Sequence, residues 1–157
     1  MDIPAPGGWD DAFTGVGGPD LWRRTLVGEV ARSGRYGRAL TVVVVEVHGV
    51  DQLAVSFGTD VARHVLRATA QAIVRASRGS DGCMRIGPTR FGVVLVETDE
   101  IAAINFVERV REDAPRRLPP GADGLRFGFG WASPEPAEAP GALVRRAETR
   151  LMVELLG

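Results

Sequence analysis

The sequence predicts a mixed α/β layer structure, a central mixed β-sheet flanked by helices. Three observations predict it. Leu40–Val47, LTVVVVEV, is apolar and β-branched nearly throughout, as a central strand covered on both faces requires. Cys83–Ile86 and Phe91–Val96 are short apolar runs joined by Gly87-Pro88-Thr89-Arg90, which reads as a β-hairpin. Segments with a 3.6-residue apolar period lie before, between and after these strands.

Composition narrows the class. The chain has 157 residues, enough for one domain, and is 45% hydrophobic and 25% charged, as a soluble protein is. Its net charge of −1 implies no general attraction to nucleic acid or to a membrane surface. No run is long enough to cross a bilayer, and the N-terminus lacks a basic start with an apolar core. Cys83 is the only cysteine, so no internal disulfide forms, and a reducing cytoplasm is the expected setting. All 19 basic residues are Arg, a bias that a GC-rich genome produces without selection for phosphate binding.

Taken in order, residues 1–10 are rich in Pro and Gly and predict an irregular segment, with the domain proper over 11–157. Asp20 is placed to cap a helix running to about Arg35, with Trp22, Leu26 and Val30 on one face and Val27 and Ala31 beside them. The strand Leu40–Val47 ends in Glu46, at the end of a sheet strand where ligand sites often form. Val50–Phe57 predicts a short helix broken by Gly58. Asp60 opens a longer one to about Ser77, with Ala62, Leu66, Ala70 and Ile73 inward and His64 solvated or half-buried. Within the hairpin, Pro88 suits the second turn position, where its fixed φ is already correct. Asp99–Asp113 predicts a helix with Ile101, Ile104, Val107 and Val110 inward. Leu125–Ala132, LRFGFGWA, predicts a strand whose Gly128 and Gly130 mark a bulge or close backbone approach. Gly141–Leu156 is the final helix, with Val144, Ala147, Leu151 and Leu155 on one side.

Two stretches carry a family resemblance. The hairpin region holds Arg78, Asp81, Arg85, Gly87 and Phe91 in register with the pattern Arg-x-x-Asp-x-x-x-Arg-x-Gly-Gly-(Asp/Glu)-Glu-Phe. Asp11-Ala12-Phe13-Thr14-Gly15-Val16 is similar to an Asp-x-Leu-Thr-Gly-Leu opening. Both patterns belong to the GGDEF domains, the bacterial diguanylate cyclases, and the resemblance runs from Asp11 to Leu155. It implies a palm-like, nucleotidyl-cyclase-like fold with a signature β-hairpin.

The resemblance also implies where chemistry would lie. In the family, paired domains each hold one GTP, and Mg²⁺ bound by carboxylates offsets charge as a 3′-hydroxyl attacks an α-phosphate. Glu46 falls on one metal-binding position. The acid two residues further on is His48. At the turn, Pro88, Thr89 and Arg90 replace Gly, the metal-binding acid and Glu. A hydroxyl substitutes weakly for a carboxylate, and a guanidinium repels Mg²⁺. The guanine contacts fall on Ala54 and Arg63, and the family's lysines on Asp51 and Leu155. These changes imply a pseudo-enzyme with no catalytic residue, no metal site and no required cofactor, Mg²⁺ being expected only of an active cyclase. Arg90, one arginine on a turn, is expected to be solvated.

A second locus of the family binds the product, cyclic di-GMP, through Arg-x-x-Asp. The resemblance places that ligand on Arg78 and Asp81, helped by Arg109 and, from a partner subunit, Arg32. The implied function is a cyclic di-GMP sensor. The alternatives are a silent domain acting by dimerisation or protein contact, and a cyclase with an altered site. The domain is expected to lack the N-terminal input domain that usually controls a cyclase, so a protein partner or a homodimer is expected to supply the input or receive the output.

Overall fold

Four strands form one sheet: β1 (Leu40–His48), β2 (Gly82–Gly87), β3 (Arg90–Val96) and β4 (Arg126–Ala132), in the order β2-β3-β1-β4. The computed structural model describes residues 3–157; the first two residues of the predicted irregular segment lie outside it. β1 is central, as its composition requires. All neighbours pair antiparallel, and parallel pairing among the described residues is confined to a single bridge between Gly17 and Met84.

The helices are α1 (Pro19–Tyr36), α2 (Val50–Phe57), α3 (Thr59–Ala76), α4 (Glu100–Arg116) and α5 (Pro140–Leu156). Alternation along β1 divides the core into two layers. Val43, Val45 and Val47 pack with Leu53, Leu66, Ile73, Phe106 and Val110 of α2, α3 and α4. Val42 and Val44 pack with Trp22 and Leu26 of α1 and with Leu143, Ala147 and Leu151 of α5. A one-residue slip of β1 would exchange the two sets, so packing pins the register. That register sets Glu46 opposite Arg90 on one side and Gly128 on the other.

Several local expectations are corrected. The cap of α1 is Gly18, followed by Pro19, whose fixed φ suits a first helical position; Asp20 lies in the first turn and pairs with Arg23. Val27 is 58% exposed, and Ala31 also faces water, because α1 meets the sheet through Trp22 and Leu26, with Leu21 and Val30 packed alongside them. On α4, Ile101 and Ile104 face outward; Ala103, Phe106, Val107, Val110 and Ala114 form the buried stripe. The helix carries two overlapping apolar stripes, and the one holding small alanines and Phe106 fits against α3 and the sheet. Asp99 caps this helix, its side chain accepting from Ala102 N–H at 2.9 Å.

Gly130 is required by close approach. A Cβ there would overlap the carbonyl oxygen of Ala147 and lie 2.6 Å from the Leu151 nitrogen. α5 therefore sits directly on the backbone of β4. This brings the outer residues of α5 to the rim of the sheet beside Glu46.

Candidate functional site

The end of β1, the hairpin turn and α5 converge on one cluster of charge. Arg90 Nε donates to Glu46 Oε1 at 2.8 Å, and its Nη1 donates to Glu148 Oε2 at 3.0 Å. The Thr89 hydroxyl donates to Glu46 Oε2. Val47 N–H donates to the Thr89 carbonyl at 3.0 Å, fixing the turn against the strand. Arg90 is thus not solvated as expected of a lone turn arginine. Cross-strand pairing with Glu46 holds it over a carboxylate, and its side chain is 27% exposed.

Both oxygens of Glu46 are therefore engaged. The donor set does not fit a divalent cation, because a guanidinium already bridges the two nearest carboxylates. Among the described residues, no group of three or more His, Cys, Asp or Glu is arranged to hold a metal. Sequence reasoning missed Glu148. It follows the inward Ala147 on α5, but nothing in the sequence ties it to a turn 58 residues earlier.

The positions on which the resemblance places guanine and phosphate contacts are taken up otherwise. Ala54 is 1% exposed and packed in the core. Arg63 donates to the Phe13 carbonyl at 3.3 Å and lies over the Phe13 ring. His48, Asp51 and His64 face solvent. Leu155 packs as an apolar side chain beside α1-side core residues and close to Gly128.

Other retained motif residues hold structure. Arg85 Nη1 donates to Asp11 Oδ1 at 2.8 Å, with side-chain exposures of 1% and 5%. Arg85 also donates to the Pro4 carbonyl and lies 4.8 Å from the Phe13 ring centroid. Asp11 accepts in turn from the Thr14 N–H and hydroxyl. The N-terminal loop is thereby latched to the hairpin. Cys83 is half-buried, and burial pushes its thiol up to about 12, so it stays neutral as a small apolar strand residue.

Arg78, Asp81 and Arg109 do come together. They line one cleft of about 250 Å³ between the bend, the β3–α4 connection and α4, shared with Glu97, Thr98 and Asn105. Asp81 is 3% exposed, and its oxygens accept from Arg78 N–H at 2.8 Å and Val96 N–H at 3.0 Å. Arg78 Nη2 donates to the Val96 carbonyl at 2.5 Å and to Thr98 Oγ1 at 2.7 Å, though its side chain remains 61% exposed. Arg109 donates to the Ala76 carbonyl at 3.0 Å. Arg32 lies outside this cleft, in an adjoining groove with Arg38.

The helix-flanked antiparallel sheet, the latched N-terminal loop and the hairpin at the end of the central strand together define a nucleotidyl-cyclase-like domain. Residues 9–154 match the family described as "Diguanylate cyclase, GGDEF domain", and the chain belongs to that family. The diguanylate cyclase DosC of Escherichia coli K12 is 27% identical over 106 residues, covering 68% of this chain and 22% of that protein. The chain thus matches under a quarter of this relative's length. Among solved structures, diguanylate cyclase SiaD of Pseudomonas aeruginosa, in complex with its activator SiaC, superposes with a TM-score of 0.85 at 25% identity, covering 94% of this chain and 58% of that one. The GGDEF domain of DgcB from Caulobacter crescentus, in complex with c-di-GMP, superposes with a TM-score of 0.88 at 16% identity, covering 96% and 92%; at that identity the likeness shows the fold.

Proposed function

We propose that this GGDEF domain does not condense GTP and acts as a regulatory module that binds cyclic di-GMP in the Arg78–Arg109 cleft. The observation that carries the first half is the Arg90 guanidinium seated between Glu46 and Glu148. Phosphoryl transfer depends on cations placed against the reacting phosphates, and here the strand carboxylate is bound to an internal cation. No metal cofactor is required of such a domain.

Support for the second half is the convergence of Arg78 and Arg109 on one concave surface. Guanidiniums offer paired donors to phosphate oxygens and to guanine Hoogsteen edges. Asp81 holds one backbone N–H on each oxygen, which shapes the bend from which Arg78 projects, and each oxygen keeps a further acceptor site for a guanine N–H. The cyclic di-GMP in the DgcB complex makes this ligand class the first to test.

Purified protein incubated with GTP and Mg²⁺ or Mn²⁺ yields no cyclic di-GMP in this reading; product formation lost on Glu46→Ala would overturn it. Calorimetry detects cyclic di-GMP binding to the wild type, weakened roughly ten- to a hundredfold by Arg78→Ala, since a charge-assisted bond contributes about 1.5–3 kcal/mol. Glu46→Ala leaves that affinity unchanged.

A second reading is a silent domain acting through a protein partner or a second copy. It is favoured by the bonds that already hold Arg78 to Val96 and Thr98. SiaD, solved with its activator, is a relative that assembles with a protein. Absence of wild-type binding at high-micromolar cyclic di-GMP supports this reading over the first. A cytoplasmic location accords with both.

A further inference from the structure

We propose that Glu97 is a negative wall of the Arg78–Arg109 cleft and that Arg38 sets its strength, so that this pair tunes anion affinity. The proposal rests on the reading of that cleft as an anion site. Glu97 lines the cleft and also the adjoining groove that holds Arg32, Ser33 and Arg38. It therefore stands between the two.

Its backbone is unusual. Glu97 has φ of 51°, a left-handed conformation that glycine adopts freely and a glutamate does not. Such strain persists where neighbours over-determine it. Here the residue on its N-terminal side is tied through Val96 N–H to Asp81 and through the Val96 carbonyl to Arg78. The residue on its C-terminal side is tied through Thr98 Oγ1 to Arg78. The Arg-x-x-Asp bend thus clamps the connection in which Glu97 is held.

The side chain then pairs with Arg38, at the start of the approach to β1. The two side chains are 57% and 46% exposed, so water screens the pair and it adds little to stability. Its consequence is electrostatic. A carboxylate beside two guanidiniums lowers the positive potential that a phosphodiester meets, and Arg38 offsets that carboxylate.

The test is calorimetric titration with cyclic di-GMP, and separately with inorganic pyrophosphate, at about 50 mM and about 500 mM salt. Glu97→Gln and Glu97→Gly remove the charge and tighten binding roughly two- to fivefold at the lower salt. Arg38→Met exposes the charge and weakens binding by a similar factor, and Glu97→Asp stays near wild type. These differences collapse at the higher salt, which a purely structural effect would not do. Dinucleotide binding that is indifferent to all four substitutions overturns the wall and leaves the ligand reading intact. Pyrophosphate binding that follows the charge order, with no dinucleotide binding in any variant, keeps the wall and overturns the dinucleotide. Binding of neither anion by any variant overturns both.

Discussion

Replacing Arg90 with Ala removes the cation that joins the hairpin turn to β1 and α5. Glu46 is 14% exposed on its side chain and loses a 2.8 Å charge-assisted bond. Such bonds contribute about 1.5–3 kcal/mol, and the stranded carboxylate adds a desolvation penalty. Glu148 is 36% exposed, so water resolvates it and its bond contributes under about 1 kcal/mol. The sum is about 2–4 kcal/mol, which lowers Tm by about 4–16 °C for a domain of this size. The variant also presents Glu46, Glu148 and Thr89 without their internal cation. Millimolar Mn²⁺ therefore recovers part of the loss, roughly 1 kcal/mol, by binding the folded state alone. Wild type shows no such recovery. The assay is thermal unfolding followed by circular dichroism, with and without Mn²⁺. A Tm within about 1 °C of wild type, or equal Mn²⁺ stabilisation of both proteins, would refute the view that Arg90 fills the cation position.

Asp11→Ala strands the buried Arg85 guanidinium and costs about 3–5 kcal/mol, read as a lower urea midpoint; an unchanged midpoint would show that the latch is dispensable. Gly130→Ala forces α5 off β4 and destabilises by about 1–3 kcal/mol or more, checked by the same titration. Restoring Asp at Thr89 and Glu at Arg90 together produces no cyclase activity with GTP and Mg²⁺, because Ala54 and Arg63 still offer no guanine contacts; cyclic di-GMP formation by that double variant contradicts this. Glu138 is held below the usual carboxylate range, chiefly by hydrogen bonds from Arg146. A depressed value means that its stabilisation is present above the usual range and is lost as pH falls through the depressed one. The Tm gap between wild type and Glu138→Gln should therefore close from pH 7 towards pH 3, and a gap constant with pH would argue against that ion pair.

Much of the fold was legible because local chemistry and burial agree. An unbroken β-branched run fits only a strand covered on both faces, and β1 is that strand. Gly128 and Gly130 announced a bulge or a close approach, and packing chose the second: the Leu151 and Leu155 side chains crowd Gly128 while the backbone of α5 crowds Gly130. The face of α4 was not legible. Apolar residues at 101, 103, 104, 106, 107 and 110 describe two overlapping stripes, and only contact with α3 and the sheet selects between them.

The candidate sites divide in the same way. By itself the sequence determined the family motif, the replaced acids at Thr89 and Arg90, and the spacing of Arg78 and Asp81. Those follow from residue identity and short-range order. Tertiary structure alone decided what the replacements do. Arg90 reaches Glu46 because strand register sets them opposite each other, and it reaches Glu148 because Gly130 lets α5 rest on β4. Asp81 accepts the Val96 N–H because β3 returns past the bend, 15 residues on in the chain. Side-chain charge is fixed by the residue, but the partner that compensates it is fixed by packing, and long-range packing carries no local signal.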